Sequence, residues 1–99
     1  MIAVVGEFRF PADRMDAARP LMRKVIEATL AEDGCLAYSY AEDVLDPGLV
    51  RVCEEWESQA HLDAHIGAQH MKVWAEERAA LGMTGRAIRR LQVSDSAAM

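Results

Sequence analysis

Both tryptophans and all three histidines of this 99-residue chain fall in one stretch, WESQAHLDAHIGAQHMKVW, from Trp56 to Trp74. Imidazole ordinarily titrates near neutrality, so His65 and His70 are candidates for a proton-accepting base, and His61 with His65 for metal ligation. HLDAH sets two imidazoles one helical turn apart, a spacing that can hold zinc. A zinc hydrolase built that way keeps its water-activating glutamate directly after the first histidine, and here that place is Leu62. Asp63 lies about 100° further round the helix and cannot substitute without distortion. With no Cys-x-x-Cys pair to build a structural site, no metal is expected, and any binding by His61 and His65 would be adventitious. The bland alternative is that each ring packs in a helix with one nitrogen bonded to a neighbour, while Trp56 and Trp74 serve as core aromatics.

Glu54 resists the bland alternative. It alternates with Val52 and Trp56, so an inward-facing strand register would bury a carboxylate, which then needs a partner. Imidazoles of the following helix are expected to provide it. His70 and Trp74, one helical turn apart, point a polar and an aromatic group towards whatever that helix covers.

The elements that must position these groups can be read from periodicity. Residues 2–10, IAVVGEFRF, read as a strand ended by Pro11, with Val4, Gly6 and Phe8 on one face and Val5, Glu7 and Arg9 on the other. A helix capped by Asp13 follows, with Met15, Ala18, Met22, Val25 and Thr29 at three- and four-residue steps; Pro20 should kink it and Gly34 should close it. CLAYSYAE, 35–42, predicts a second strand with Leu36, Tyr38 and Tyr40 sharing a face. After the turn at 43–48, LVRVCEEW, 49–56, predicts a third. Ser58 caps a second helical region, bent near Gly67, that runs to about residue 81, and RAIRRLQV, 86–93, predicts the last strand. The order β-α-β-β-α-β implies an α+β, ferredoxin-like fold: a four-stranded antiparallel sheet with the helices on one face. Its other face would be bare and, since Val5 lies there, a second subunit is the expected cover.

A hydrophobic content of 52% with 27% charge over 99 residues describes a single domain, 1–95, with 96–99 as a disordered tail. The net charge of −5 comes without a basic stripe, apart from Arg86, Arg89 and Arg90, so nucleic acid is not an expected partner. MIAVVGEFRF has neither the positive flank of a signal peptide nor the length of a membrane span, which predicts a cytoplasmic protein. Hairpin register sets Cys53 opposite a residue near 38 and Cys35 opposite one near 56, so two separate buried thiols are expected.

The linked residues Glu54, Trp56, Ser58, His61, Leu62, His65, His70, Met71 and Lys72 resemble the antibiotic biosynthesis monooxygenase family, especially its small quinol monooxygenase branch. EDGCLAY, with Gly34, Cys35 and Tyr38, is similar to that family's junction between first helix and second strand, and the resemblance spans residues 2 to about 93. It implies a homodimeric α/β barrel made by two sheets packed face to face. It also implies oxidation of a quinol or phenolic compound by molecular oxygen, with no cofactor. The chain shows no Gly-rich dinucleotide loop. Haem-degrading relatives rely on an asparagine, a tryptophan and a histidine whose places are held here by Phe8, His65 and Ala75, which departs from that route.

An oxygenase without flavin must make its substrate the reductant, by deprotonating it inside an apolar slot. On this reading His65 or His70 is the base, Glu54 orients one imidazole, and Tyr38, Trp74, Phe8 and Trp56 line the slot. Two alternatives use the same residues: isomerisation of a small carbonyl metabolite, and non-catalytic binding of small aromatic ligands or haem.

Overall fold

The computed structural model describes residues 1–99. Strand β1 (Ile2–Arg9) ends at Pro11, whose fixed φ starts a single 3-10 turn over Ala12–Arg14 rather than the helix itself. Helix α1 (Met15–Leu30) therefore begins at Met15 with Arg14 at its cap, and the expected cap by Asp13 is corrected: Asp13 sits inside the turn, and no side chain caps the helix. α1 continues through Pro20 and buries Met15, Ala18, Met22, Val25 and Thr29, the stripe its spacing predicts.

Gly34 lies beyond the helix end, in the turn that enters β2 (Cys35–Glu42), with φ +76°. Glycine is required there twice over. The left-handed backbone disfavours a side chain, and a Cβ would stand 2.2 Å from Cγ of His61. His61 is thereby pressed onto the α1–β2 junction, with Nδ1 2.7 Å from Ser58 Oγ and Nε2 3.4 Å from Asp33.

β3 (Leu49–Trp56) pairs antiparallel with β2 on one side and β1 on the other, and β4 (Thr84–Gln92) closes the sheet in the order β2-β3-β1-β4. α2 (Gln59–Ile66) and α3 (Gln69–Ala80) are the two halves of the second helical region, separated at Gly67 as expected. Ser58 caps α2, accepting a bond from the His61 N–H. This α+β, ferredoxin-like arrangement matches the expectation from element order, with β4 starting two residues earlier than its periodicity suggests.

Alternation along β1 and β3 sends Ile2, Val4 and Phe8 together with Val50, Val52, Glu54 and Trp56 towards the helices. β2 follows the same rule only from Ala37 onward. A register shift between Cys35 and Ala37 lets Cys35 take the inward place opposite Trp56, so Leu36 turns out and is 54% exposed. The expectation that Leu36 shares a face with Tyr38 is corrected by that bulge. Cys53 stands opposite Ser39, so the two thiols are separate, but Cys53 is exposed rather than buried. No helix covers its face of the sheet, where Val5 also lies.

Two clusters fill the space between sheet and helices. Phe8, Phe10, Val50, Val52 and Trp74 pack with the apolar stripe of α1. Ile2, Val4, Tyr38, Trp56 and Leu62 form the second, beneath α2. No helix is long and apolar enough to cross a membrane.

Candidate active site

Where the two clusters meet, a cavity of about 310 Å³ remains between sheet and helices. Its floor is set by strand alternation: Val4 and Phe8 from β1, Tyr38 and Tyr40 from β2, Glu54 from β3. Leu62 and His65 come down from α2, three residues apart and so on one helix face. α3 contributes Met71 and Arg78, and β4 contributes Ile88 with Arg86 and Arg90 on either side of it.

His65 is only 2% exposed. Its Nδ1 lies 2.6 Å from Oε2 of Glu32, which belongs to the turn after α1. A carboxylate accepts, so the proton belongs on Nδ1, and Nε2 is left with a lone pair and no protein partner. Burial pulls the imidazole's proton affinity down and Glu32 opposes that, with a net lowering from the ordinary 6.5. The ring is therefore neutral at pH 7, the form a base requires.

His70 stands on the far side of Glu32, its Nε2 3.3 Å from the same Oε2 and 3.3 Å from Thr29 Oγ1. It borders a separate hollow between α1 and α3, beside Lys24 and Glu77, and not the main cavity. Glu54 is 6% exposed and does not touch an imidazole; its Oε1 accepts from Trp56 Nε1 at 3.0 Å. The expectation that Glu54 orients a histidine is corrected, because the indole N–H occupies that carboxylate and Glu32 holds the imidazoles. Burial pushes the Glu54 carboxyl above its usual value, against the pull of the Trp56 N–H and of Arg86.

Tyr38 and Tyr40 share a hydrogen bond of 2.6 Å between their hydroxyls. Burial drives Tyr38 upward, and Tyr40 is pushed up to about 12, so both stay protonated; one hydroxyl donates to the other, and the accepting one keeps its own proton free to donate to an anion. Arg78 is lowered by burial and by Arg86 nearby. A guanidinium remains charged at neutral pH regardless.

Of the residues singled out from sequence, Phe8, Tyr38, Glu54 and His65 line the cavity. Trp56 and Trp74, at 0% and 1% exposed, stand behind its wall and shape it through neighbours: Trp56 lies 4.7 Å from the His65 ring, and Trp74 stacks on Tyr40 at 6.1 Å. Glu32, Tyr40, Arg78, Arg86 and Arg90 complete the surroundings without having been recognisable as site residues. Glu32 opens the EDGCLAY junction, but 33 residues separate it from His65, and an acid after a helix end reads as solvated. For Arg86 and Arg90 the signal was the alternation with Ile88.

The donor atoms of Glu32, His65 and His70 all lie within 4.8 Å of one another, the chain's one trio of metal-ligating types. His61 is outside it, so the pairing of His61 with His65 on a stray ion finds no geometric support. Donors around a tetrahedral ion stand about 3.3 Å apart. The 2.6 Å contact of His65 is a hydrogen bond's length, and both imidazoles meet at the same oxygen of Glu32.

Residues 1–77 match the family described as Antibiotic biosynthesis monooxygenase. An Escherichia coli relative named "Probable quinol monooxygenase YgiN" is 30% identical over 86 residues, covering 77% of this chain and 83% of its own. Rv0793 of Mycobacterium tuberculosis is 36% identical over 69 residues, covering 70% and 67% of the two chains. Its solved structure has a TM-score of 0.85 over 98% of both chains. A Deinococcus radiodurans structure reaches a TM-score of 0.94 over 100% of this chain and 98% of its own; at 23% identity that likeness shows the fold alone. The chain belongs to the antibiotic biosynthesis monooxygenase family, a family of oxidoreductases.

Proposed function

We propose that this protein is a monooxygenase that oxidises a quinol or phenolic small molecule with molecular oxygen, without a cofactor. The observation that carries this reading is the buried His65, whose Nδ1 is fixed by Glu32 and whose Nε2 has no partner but the cavity. The relative named as a quinol monooxygenase supports the substrate class.

His65 Nε2 takes the hydroxyl proton of the bound substrate, and the imidazolium is stabilised by Glu32 as it forms. The phenolate ring is then electron-rich enough to reduce oxygen. A new C–O bond forms at a ring carbon; loss of the hydrogen on that carbon and cleavage of the O–O bond give a carbonyl and one water. A phenol and one oxygen molecule thus become a quinone and one water, the substrate supplying all four electrons. The imidazolium returns its proton to the departing oxygen. The Tyr38–Tyr40 pair donates its one free hydroxyl proton towards the substrate anion, while Phe8, Val4, Leu62 and Ile88 supply apolar contacts to the ring. His70 braces Glu32 and is a positioning residue.

The uncovered face of the sheet, with Val5, Ala37 and Cys53, is the surface through which a second copy would pack, giving a homodimer; sedimentation of the purified protein measures this. The test of the chemistry is oxygen uptake with a panel of hydroquinones. The wild type should consume oxygen and form the hydroxyquinone carrying one atom of that oxygen, with water as the other product; His65→Ala should not, and His70→Ala should retain part of the rate. Equal rates in all three remove the histidines from the mechanism, and turnover under nitrogen would favour the isomerase alternative.

A further inference from the structure

The chain carries a net charge of −5, yet its cavity is cationic. Arg78, Arg86, Arg89 and Arg90 all line it, and none of the four forms an ion pair. Elsewhere Arg9 pairs with Asp46, Arg19 with Glu42, Lys24 with Glu77, and Arg51 with Glu7 and Asp43, while the unpaired Arg14, Arg23 and Lys72 are exposed; Arg78 is the one unpaired cation that is partly buried. The only carboxylate on the cavity wall is Glu54, and it is already bonded to Trp56.

A half-buried guanidinium without a counter-charge is costly to the fold, and a ligand anion would offset that cost. Arg78 is the member of the set withdrawn furthest from solvent, on α3; Arg86 and Arg90 stand exposed along β4 on the same side as Ile88. Arginine's planar fork matches a carboxylate with two parallel hydrogen bonds. The volume of about 310 Å³ is at the lower end for small-molecule pockets and suits one or two rings.

We propose that the cavity selects an aromatic hydroxy acid: a ring hydroxyl directed at His65 and a carboxylate on the same molecule clamped by Arg78, with Arg86 and Arg90 drawing it in. This rests on the reading of the cavity as the oxygenase's substrate site. It adds to that reading the anionic class of substrate. The neighbouring tyrosine pair supplies a neutral donor, so the guanidinium is the group that distinguishes an acid from its ester.

Calorimetric titration under nitrogen, with 2,5-dihydroxybenzoate, its methyl ester and hydroquinone as probes, tests this directly. The acid should bind the wild type at least about tenfold more tightly than the ester, by a margin that narrows as salt is added. Arg78→Gln should abolish the preference while changing ester affinity by less than about twofold, and Arg86→Gln, on the exposed strand, should weaken it by about threefold. Equal affinity for acid and ester in the wild type, or a preference that survives in both variants, overturns the proposal. Oxygen uptake measured alongside separates the two readings. Selective acid binding without oxygen consumption keeps this inference and sinks the oxygenase; oxygen consumption with no acid preference does the reverse.

Discussion

Phe8, Phe10, Val50, Val52 and Trp74 pack under α1 and α3 as an aromatic and aliphatic cluster with edge-on ring contacts, Phe8 to Phe10 at 5.6 Å and Phe10 to Trp74 at 6.2 Å. The neighbouring cluster around Trp56 lies against an imidazole, a carboxylate and a tyrosine hydroxyl, each bonded to a specific partner: His65 to Glu32, Glu54 to Trp56, Tyr38 to Tyr40. Both regions lie between the same sheet and the same helical layer. Burial alone therefore does not separate core from site. What separates them is polar groups that are buried in pairs and still border open volume, an arrangement that adds little to stability and much to chemistry.

The comparison predicts that the two regions fail differently. His65→Ala should lower quinol-dependent oxygen uptake by about 10²-fold or more while the protein remains folded, as followed by an oxygen electrode and far-UV circular dichroism. Trp74→Ala should instead cost about 3–5 kcal/mol of stability in urea unfolding, because its indole is packed against Phe8, Phe10 and Tyr40. Rate loss without destabilisation at Trp74 would erase the distinction.

Glu32→Gln should reduce the rate by about tenfold, since the amide keeps the shape but not the charge that holds the imidazole's proton on Nδ1. A smaller effect sharpens the contrast from the other side. The folded Glu54 carboxyl holds its proton above the ordinary 4.5, so between 4.5 and that raised value the unfolded chain binds fewer protons and stability falls as pH rises. Glu54→Gln removes that slope and keeps an acceptor for Trp56. It should be more stable than the wild type at pH 7, by a difference that vanishes as pH falls to about 4, as read from denaturation midpoints. At the surface, Lys24→Ala breaks the ion pair with Glu77 and should change stability by less than about 1 kcal/mol.

Much of the scaffold was legible because its cause is local. Val50, Val52, Glu54 and Trp56 alternate, and the sheet takes them in that order; Met15 to Thr29 recur at helical spacing, and α1 buries them. Leu36 defeats the same rule, since a bulge depends on how β2 meets β3 and not on β2's own residues. Asp13 fails as a cap because Pro11 starts a 3-10 turn first. The site was half legible for a related reason. His65 and Glu54 stand out by type within their own elements, whereas Glu32 acquires its role only when the turn after α1 is laid against α2. Pairing across the fold carries no periodic signal, so Glu54 was the acid within reach of sequence and Glu32 the acid within reach of the ring.

The pH dependence of kcat/KM for oxygen uptake tests the central claim most directly. With His65 as a base whose proton affinity is lowered by burial and partly restored by Glu32, the wild type should show a neutral plateau and an acid limb with its midpoint below 6.5. In Glu32→Gln that midpoint should move lower still. An acid limb with its midpoint above 6.5, or one that Glu32→Gln leaves in place or moves upward, would contradict the account.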